Sequence, residues 1–580
     1  MAKKTVADQM IAHLRSLGVE RIYGLVGDSL NPVTDAIHRD GNIEWVAVHH
    51  EESAAFAAAA ESRLTGRLAV CAGSCGPGNL HLLQGVYDAH RSGAKVLVLA
   101  SHIPSPQIGT SFFQETHPLS LFAECSHYAE MMYSPRQAAR VLHNATQTAI
   151  ASNGVGVVVF PGDLVEEEAV DVPALGAVST HPPVHVPDES QIALLADLLN
   201  ESEKVTLFVG AGVRGSHDAV MALAERLQAP VGHALGGKEW IQYDNPYDVG
   251  MSGLLGYGAA YDAMHEADLL LLIGTDFPYD QFLPAKNVKI VQIDRYGDRL
   301  GRRAKLDLAI EGDARPSIEA LLPRLRERSD RSFLNSMLTK NAESLEKVVE
   351  AYTHNVENHT PIHPEYVASV LDEMADDDAI FTVDTGMCNV WAARYLTPNG
   401  RRRVLGSWHH GTMANALPHA IGAASAAPDR QVISMSGDGG LTMLLGELLT
   451  VARHDLPVKI VAFNNSSLGM VKLEMLVAGL PEHGTSTPDV NLAAIAAAAG
   501  IPATRVEHPS QLKGALEKAF AAKGPYLLDV VTDPNALSIP PHITLEQVGG
   551  FAQASVRTVL EGGVGRMIDL ARANLRNIPR

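Results

Sequence analysis

Cysteine is scarce in this chain of 580 residues, which contains four. Cys71, Cys75, Cys125 and Cys388 show neither the paired spacing of a zinc site nor the density of a disulfide-bonded scaffold. We therefore expect reduced thiols that serve in packing, as is usual in a cytosolic protein.

Long apolar runs and an excess of positive charge are also missing. No stretch of roughly 18 apolar residues is present, so no membrane-spanning helix is predicted. The first residues, 1–5, lack the apolar core of a signal peptide. The chain has 46 Lys and Arg against 66 Asp and Glu, a formal net charge of −20, which makes nucleic acid an unfavourable partner.

Hydrophobic residues make up 46% of the chain, enough for several cores, and the length favours about three domains. Strand-like and helix-like stretches alternate along it, which predicts an α/β fold class: three doubly wound parallel-sheet domains with a C-terminal amphipathic tail. The predicted domains are residues 1–180, 181–340 and 341–532, and the tail is residues 533–580.

Two polar clusters in the third domain each follow a short apolar strand. Residues 431–435 precede Ser-Gly-Asp-Gly-Gly at 436–440, and residues 458–463 precede Asn-Asn-Ser-Ser at 464–467. Ligands bind at the carboxyl edge of such a sheet, and glycines there let backbone N–H groups approach phosphate oxygens. The clusters therefore predict a phosphate site.

Oxygen ligands for Mg²⁺ are available in both clusters. The side chains of Asp438 and Asn465 and the carbonyl of Ser467 would nearly fill an octahedral shell together with two diphosphate oxygens. The separation, 465 − 438 = 27, and the Asn-Asn doublet resemble the signature of thiamine-diphosphate enzymes. A generic turn after a core strand would explain Gly-Asp-Gly alone, but not the second cluster.

This resemblance implies a carboxylic acid in the first domain, because activating thiamine requires its pyrimidine to be driven to the imino form. Glu51 matches the family glutamate, although alone it could be a helix N-terminal carboxylate. Gly76 and Asn79 lie in a segment that resembles the glycine-proline-glycine loop near the pyrimidine ring. By itself, that segment could be a simple strand-to-helix turn.

The resemblance also assigns further cofactor contacts in the third domain. Met413 resembles the apolar wedge beneath the thiazolium ring, whereas the plain alternative is a core gap-filler. The remaining predicted contacts there are Gly411, Thr412, Gly439, Gly440 and Gly469.

Several stretches of the middle domain resemble the FAD-contacting segments of pyruvate oxidases. Each is weak alone, since Gly-Ala-Gly at 210–212 lacks the full dinucleotide fingerprint. Asp294 suits a ribose hydroxyl, or it only caps a helix. The predicted FAD contacts are Gly210, Ala211, Gly212, Ser252, Gly253, Leu254, Leu255, Thr275, Asp276, Phe277, Pro278, Tyr279 and Asp294.

Residues 109–118 resemble an active-site loop of the same family, in which Phe113 and Gln114 approach the substrate. Both could equally be packing and turn residues. Met470 stands beside the cofactor where quinone-linked relatives have an aromatic residue, and its thioether can fill that space. Over all three domains and the tail, the chain resembles thiamine-diphosphate-dependent pyruvate oxidases, most closely the pyruvate:quinone oxidoreductase type.

The resemblance implies oxidation of pyruvate to acetate and CO₂ with thiamine diphosphate, Mg²⁺ and FAD, and electron transfer to a membrane quinone. The three domains would bind the pyrimidine, FAD and the diphosphate in that order. It also implies a homotetramer with active sites between the first domain of one subunit and the third domain of another. The protein would be cytoplasmic and peripherally associated with the inner face of the cell membrane.

The tail offers a basis for docking on a phospholipid surface. Apolar and basic residues fall at helix-like spacings, as an interfacial helix requires. An amphipathic helix packed on its own tetramer is the alternative. The apolar positions are Val556, Val559, Leu560, Met567, Ile568, Leu570, Ala571 and Leu575, and the basic ones are Arg557, Arg566, Arg572 and Arg576.

Three other functions fit parts of this pattern. Acetohydroxyacid synthase also retains FAD but joins the activated fragment to a second keto acid. A phosphate-dependent pyruvate oxidase would release acetyl phosphate. A non-catalytic, tail-anchored scaffold is the third, and the retained Glu51, Asp438 and Asn465 speak against it.

Overall fold

A computed structural model describes residues 3–171, 177–179, 181–356, 358–536 and 573–574. It contains three β-sheets whose strands alternate with helices along the chain, which confirms the predicted fold class of three parallel-sheet domains. The boundaries proposed at 180, 340 and 532 stay predictions. Nearly all of the tail, including every apolar and basic position named above from Val556 to Arg576, lies outside the described residues.

The first sheet has six parallel strands in the order β2-β1-β3-β4-β6-β5. Its central strands are fully buried and rich in valine, as expected of a sheet covered on both faces. The strands are β1 Arg21–Gly24, β2 Glu44–Ala47, β3 Ala69–Gly73, β4 Val96–His102, β5 Tyr128–Met131 and β6 Val155–Pro161. The helices are α1 Val6–Ser16, α2 Asn31–Asp40, α3 Glu51–Thr65, α4 Pro77–Ser92, α5 Pro118–Phe122 and α6 Pro135–Ser152.

The second sheet has seven strands in the order β10-β9-β8-β7-β11-β12-β13, and only the short edge strand β10 is antiparallel. The strands are β7 Val205–Val209, β8 Val231–His233, β9 Asp248–Met251, β10 Tyr257–Gly258, β11 Leu269–Ile273, β12 Lys289–Asp294 and β13 Leu308–Glu311. The helices are α7 Glu189–Glu201, α8 His217–Leu227, α9 Lys238–Ile241, α10 Ala260–His265, α11 Ala314–Leu321 and α12 Ser332–Ser344.

The third sheet has six parallel strands in the order β15-β14-β16-β17-β19-β18. The strands are β14 Ile380–Val383, β15 Arg403–Gly406, β16 Val432–Gly437, β17 Val458–Asn464, β18 Ala503–Val506 and β19 Tyr526–Val531. The helices are α13 Pro364–Met374, α14 Met387–Tyr395, α15 Ala416–Ala426, α16 Asp438–Met443, α17 Glu447–Arg453, α18 Gly469–Val477, α19 Leu492–Ala498 and α20 Pro509–Ala521.

The first and third sheets share one topology. Numbered within each sheet, both read 2-1-3-4-6-5. Helix α3 follows the second strand of the first sheet and α15 follows the second strand of the third, so the two helices are topological equivalents.

These equivalent helices pack directly against each other. Residues 54–60 of α3 are six alanines and Phe56, all completely buried. A Cβ added to Gly422 of α15 would lie 2.1 Å from the carbonyl oxygen of Ala57. The alanine-rich stretch of the sequence is therefore a close helix–helix contact that joins the first and third domains.

Among the described residues, no helix is long and apolar enough to cross a membrane.

Candidate active site

A cleft of about 270 Å³ opens at the carboxyl edge of the third sheet. Three helices begin at its wall: α14 at Met387, α16 at Asp438 and α18 at Gly469. Helix N-termini carry unpaired backbone N–H groups and a partial positive charge, so their convergence suits an anion such as a diphosphate.

Among the residues that the structure describes, the lining of this cleft has no Lys, Arg or His. Its ionisable carboxylates are Asp438, Glu474 and Asp533, so a diphosphate placed here needs a metal cation to offset charge repulsion. The lining residues are Pro364, Thr385, Gly386, Met387, Cys388, Trp391, Gly411, Met413, Gly437, Asp438, Gly439, Gly440, Phe463, Asn465, Ser467, Leu468, Gly469, Met470, Val471, Glu474, Thr532, Asp533 and Ala536.

The three predicted metal ligands come together in this cleft. Asp438 is 6% exposed, and its Oδ2 accepts a hydrogen bond of 3.1 Å from the Thr487 hydroxyl. Burial raises the pKa of Asp438, against the hydrogen bond from Thr487, which lowers it. The Asn465 side-chain oxygen accepts from the Ser467 N–H at 3.0 Å. The chemistry of this donor set, a carboxylate and an amide oxygen beside a backbone carbonyl, fits Mg²⁺.

The glycines of the 438–440 loop are packed too closely to carry a side chain. A Cβ on Gly440 would lie 1.7 Å from Oδ2 of Asp384, and one on Gly439 would lie 2.8 Å from Cδ2 of Leu468 and 3.4 Å from Cε of Met413. Met413 therefore reaches over the loop, where the sequence predicted an apolar wedge. The backbone before it turns at Gly411, whose φ of +72° favours glycine.

Asp384, which the sequence analysis did not single out, holds the base of the site. It directly follows β14, is 1% exposed, and accepts hydrogen bonds from the Thr385 N–H at 3.1 Å and the Asn415 amide at 3.3 Å. Burial raises the pKa of Asp384 to about 7, despite backbone hydrogen bonds that lower it. A lone aspartate after a strand has no motif around it, so only the fold reveals this position.

Glu51 begins α3 and is 4% exposed. Its Oε2 lies 2.9 Å from Nδ1 of His81, whose ring stacks on His50 with centroids 4.4 Å apart. His81 was missed from sequence, although it follows the Gly-Pro-Gly loop by one helical turn. The ligand atoms of these three residues lie within 4.8 Å of one another, but the hydrogen bond and the ring stacking account for that proximity.

Glu51 does not line the cleft that holds Asp438. Its neighbours include Gly78, where a Cβ would lie 3.0 Å from Glu51 Oε1. Glu51, Gly76, Asn79 and Gln114 therefore belong to the first domain's own sheet edge. The chain therefore carries two separate groups of predicted site residues, called half-sites below. The first contains Glu51, Gly76, Asn79 and Gln114, and the second contains the residues that line the cleft.

In the first half-site, Cys75 Sγ donates to the Gln114 side-chain oxygen at 3.3 Å, and a Cβ on Gly76 would lie 2.8 Å from Gln114 Cβ. Gln114 has a left-handed backbone, φ +64°, a conformation that is often retained at functional sites. Phe113 beside it is 76% exposed. Asn79 is completely buried and donates to the Ser101 carbonyl at 2.8 Å, so its side chain supports the edge of the sheet.

The stretches assigned to FAD meet at the carboxyl edge of the middle sheet. A Cβ on Gly212, after β7, would lie 2.5 Å from Cα of Gly274, after β11. A Cβ on Gly253 would lie 3.2 Å from the ring of Phe277. Asp294 ends β12, is 4% exposed, and accepts from the Tyr296 N–H at 2.9 Å, which leaves both the ribose and the capping interpretation open.

Met470 lies in the first turn of α18 and lines the cleft, as does Gly469. The cleft thus contains Met470 together with Gly411, Met413 and the 438–440 loop. The structure brings all the third-domain residues singled out from the sequence, except the neighbouring Thr412, to its lining.

Three family models for thiamine pyrophosphate enzymes match this chain. The N-terminal TPP binding domain matches residues 4–121, the central domain residues 192–321 and the C-terminal TPP binding domain residues 384–530.

Curated relatives cover almost the whole chain. The putative thiamine pyrophosphate-containing protein YdaP of Bacillus subtilis is 31% identical over 99% of both chains. Pyruvate oxidase of Lactiplantibacillus plantarum is 30% identical over 90% of this chain and 87% of its own. A probable acetolactate synthase large subunit of Methanococcus aeolicus is 31% identical over 93% of this chain and 94% of its own. The chain therefore belongs to the thiamine-diphosphate-dependent enzymes, the family of decarboxylases, oxidases and carboligases that includes pyruvate oxidase and acetolactate synthase.

Proposed function

We propose that this enzyme oxidises pyruvate to acetate and CO₂ with thiamine diphosphate, Mg²⁺ and FAD, and passes the electrons to a membrane quinone. The observation that carries the thiamine part is the cleft at which α14, α16 and α18 begin, whose described lining contains Asp438 and Asn465 but no Lys, Arg or His. Such a cleft fits a diphosphate only together with its metal.

Bound in this cleft, thiamine diphosphate supplies a carbon nucleophile and an electron sink for decarboxylation. Asp438, Asn465 and the Ser467 carbonyl would hold its Mg²⁺, and Met413 would support the thiazolium ring from below. Glu51 would hold a proton at its buried carboxyl, where His81 orients one oxygen.

A complete site requires a second copy of the chain. Glu51 lies outside the cleft lined by Asp438, so the acid of one subunit's first domain would serve the cleft of another subunit's third domain. This arrangement supports the proposed homotetramer, in which each subunit contributes to two sites.

The electron acceptor in this proposal is FAD at the edge of the middle sheet. The glycines at 210, 212 and 274 let the backbone after β7 approach the backbone after β11 there, and Gly253 lies close to the Phe277 ring. The quinone and the phospholipid surface would be reached through the tail, residues 533–580, on a protein that is otherwise cytoplasmic.

Carboligation is the second candidate, because an acetolactate synthase subunit is as similar to this chain as the pyruvate oxidase is. In that reaction the flavin would stay oxidised and a second keto acid would accept the activated fragment. Phosphate-dependent oxidation is a third outcome, and its product would be acetyl phosphate.

Anaerobic mixing of the holoenzyme with pyruvate separates these reactions. We expect the flavin absorbance to bleach and acetate to form without added phosphate, and the Asp438→Ala variant to do neither. Oxidised flavin with accumulating acetolactate would replace the proposal by carboligation. Acetyl phosphate formed only with phosphate present would assign the phosphate-dependent reaction.

A chain ending at residue 539 tests the membrane part. Its flavin should bleach with pyruvate as fast as that of the full chain, while its turnover with quinone in anionic phospholipid vesicles falls. Equal turnover of both proteins with vesicles would remove the tail from the proposal.

A further inference from the structure

A buried carboxylate of the first domain reaches into the third. Asp88, on α4, is completely buried; its Oδ1 accepts a hydrogen bond of 2.6 Å from the Ser407 hydroxyl, and its Oδ2 lies 3.4 Å from Nε2 of His419, which is also fully buried. Burial raises the pKa of Asp88, but His419, Ser407 and Arg63 outweigh it and lower the pKa overall. The carboxylate is therefore charged and bridges two domains.

The loop that Asp88 contacts is the one that carries Met413. Ser407 in turn accepts a hydrogen bond from the Thr412 N–H at 3.2 Å. Gln84, one turn before Asp88 on α4, donates to the Thr412 hydroxyl at 2.7 Å. Two side chains on one face of α4 thus fix the residue immediately before Met413.

The third domain holds the first in the same way. Glu447, on α17, is 1% exposed; its Oε1 accepts from the His50 N–H at 2.9 Å and from the His49 N–H at 3.2 Å. Its Oε2 accepts from the Thr450 hydroxyl at 2.6 Å. The backbone it fixes leads directly into Glu51.

The two contacts are topological counterparts. Each carboxylate lies on the helical segment after the third strand of its sheet, and each holds the loop after the second strand of the other sheet. A buried carboxylate that loses its hydrogen-bond partners costs free energy, so each carboxylate favours the loop position in which these hydrogen bonds are made.

We infer that Asp88 and Glu447 are reciprocal positioning residues, Asp88 for the thiamine-supporting loop at Met413 and Glu447 for the acid Glu51. The inference deepens the proposed function and rests on it. Because the two loops belong to different half-sites, the two carboxylates affect different steps. Asp88 sets cofactor affinity, and Glu447 sets the rate with cofactor bound.

Alanine variants of both residues test this, since alanine removes the acceptor oxygens. We expect Asp88→Ala to raise the dissociation constant of thiamine diphosphate with Mg²⁺, measured by calorimetry, by about tenfold or more. Glu447→Ala should lower kcat for pyruvate consumption by about tenfold or more at saturating cofactor, with its affinity changed less than about twofold. Asp88→Asn and Glu447→Gln keep an acceptor oxygen and should recover part of each loss.

The control is Glu61→Ala. Glu61 is a buried carboxylate of α3 that accepts from Tyr23 at 2.6 Å and Arg21 at 3.0 Å within the first domain. Glu61→Ala should lower the melting temperature. It should not change thiamine diphosphate affinity and kcat selectively, one without the other. If Asp88→Ala does not fold, Ser407→Ala replaces it, with Ser407→Thr as the variant that retains the hydroxyl.

Equal loss of affinity and kcat in both variants, or no loss in either, would overturn the inference and leave a purely structural role. Pyruvate consumption is followed whatever the product, so a wild-type enzyme that makes acetolactate refutes the proposed oxidation and not the positioning. A wild-type protein that takes up no thiamine diphosphate refutes the proposed function itself.

Discussion

The first and third sheets have the same strand order but present different chemistry at their carboxyl edges. After its second strand the first sheet places Glu51, and after its third strand a Gly-Pro-Gly turn. At the equivalent positions the third sheet places the Met413 loop and the 438–440 loop. Helices begin at both edges, but one edge presents an acid beside a histidine and the other presents the predicted metal donors.

This difference shows that the scaffold sets where a site forms and the loops set what it does. Glu51 does not line the cleft that contains Asp438. Among the described residues, the lining of that cleft has no histidine or basic side chain. The two groups of residues lie apart in this chain, so separate variants can test the role of each.

Glu51→Gln should give the largest effect. It removes the titratable proton of the first half-site, so kcat for pyruvate consumption should fall by roughly 10²- to 10⁴-fold. Thiamine diphosphate affinity, measured by calorimetry, should stay near that of the wild type, since the cleft is intact. Glu61→Gln, on the same helix, is the control and should retain turnover; a Glu51→Gln enzyme with normal kcat would sink the assignment.

Asp438→Ala should act on the other half-site. Loss of a direct metal ligand should weaken Mg²⁺-dependent binding of thiamine diphosphate by more than about 100-fold, because even outer-shell partners cost 10- to 100-fold. Thr487→Val, which removes the hydrogen bond to Asp438, gives the graded comparison at about tenfold. If Asp438→Ala binds thiamine diphosphate in the presence of Mg²⁺ as tightly as the wild type does, Asp438 is not a metal ligand.

Two buried aspartates, Asp384 in the third domain and Asp88 in the first, should give opposite pH dependences of the free energy of unfolding. The pKa of Asp384 is raised to about 7 in the folded protein, so the folded state binds more protons and stability should fall as pH rises from about 4 through 7. The loss is at most on the order of 4 kcal/mol, because one pKa unit corresponds to about 1.4 kcal/mol. The pKa of Asp88 is lowered, so its contribution is present above about pH 4 and is lost on acidification.

Urea unfolding of the cofactor-free protein at pH 5 and pH 8 measures this. Asp384→Asn should flatten the decline between the two pH values, whereas Asp88→Asn should leave it unchanged because Asp88 is ionised throughout. A decline that persists in Asp384→Asn would assign it to another group.

Gly422→Ala should give the smallest change, and it acts on both halves at once. Its Cβ would meet the Ala57 carbonyl at 2.1 Å, and overpacking of this kind costs about 1–3 kcal/mol in the free energy of unfolding. Gly514→Ala is the matched control: that glycine lies within α20 with open space around it, so alanine should stabilise by about 0.5–1 kcal/mol. Equal unfolding midpoints for the two variants would contradict a tight contact between α3 and α15.

Local sequence patterns predicted much of the fold. The apolar strands predicted at 431–435 and 458–463 correspond to β16, Val432–Gly437, and β17, Val458–Asn464, and each strand extends slightly into the polar cluster that follows it. Helix α3 begins at Glu51, where the His50 ring accepts a hydrogen bond from the Glu52 N–H at 3.2 Å and caps the helix. A histidine cap is uncommon, so the pattern gave no sign of it.

The sequence could not predict which buried carboxylates contact the loops of the two half-sites. Asp88 and Ser407 are 319 residues apart, and Glu447 and His49 are 398 apart. A lone carboxylate inside a helix carries no local pattern that distinguishes it from a solvated one. The 438–440 segment, by contrast, lies in a motif that follows a predicted strand, and Met413 was assigned by the family resemblance.

The run of alanines in α3 reads in the printed sequence as a low-information stretch, yet it is a fitted surface on which both halves of the enzyme depend. Substitution to anything larger than alanine would push α15 away and, with it, the loop before Met413, while α3 itself would carry Glu51 out of place. A conservative substitution such as Ala57→Val is therefore expected to lower activity although it changes no residue of the predicted cofactor site.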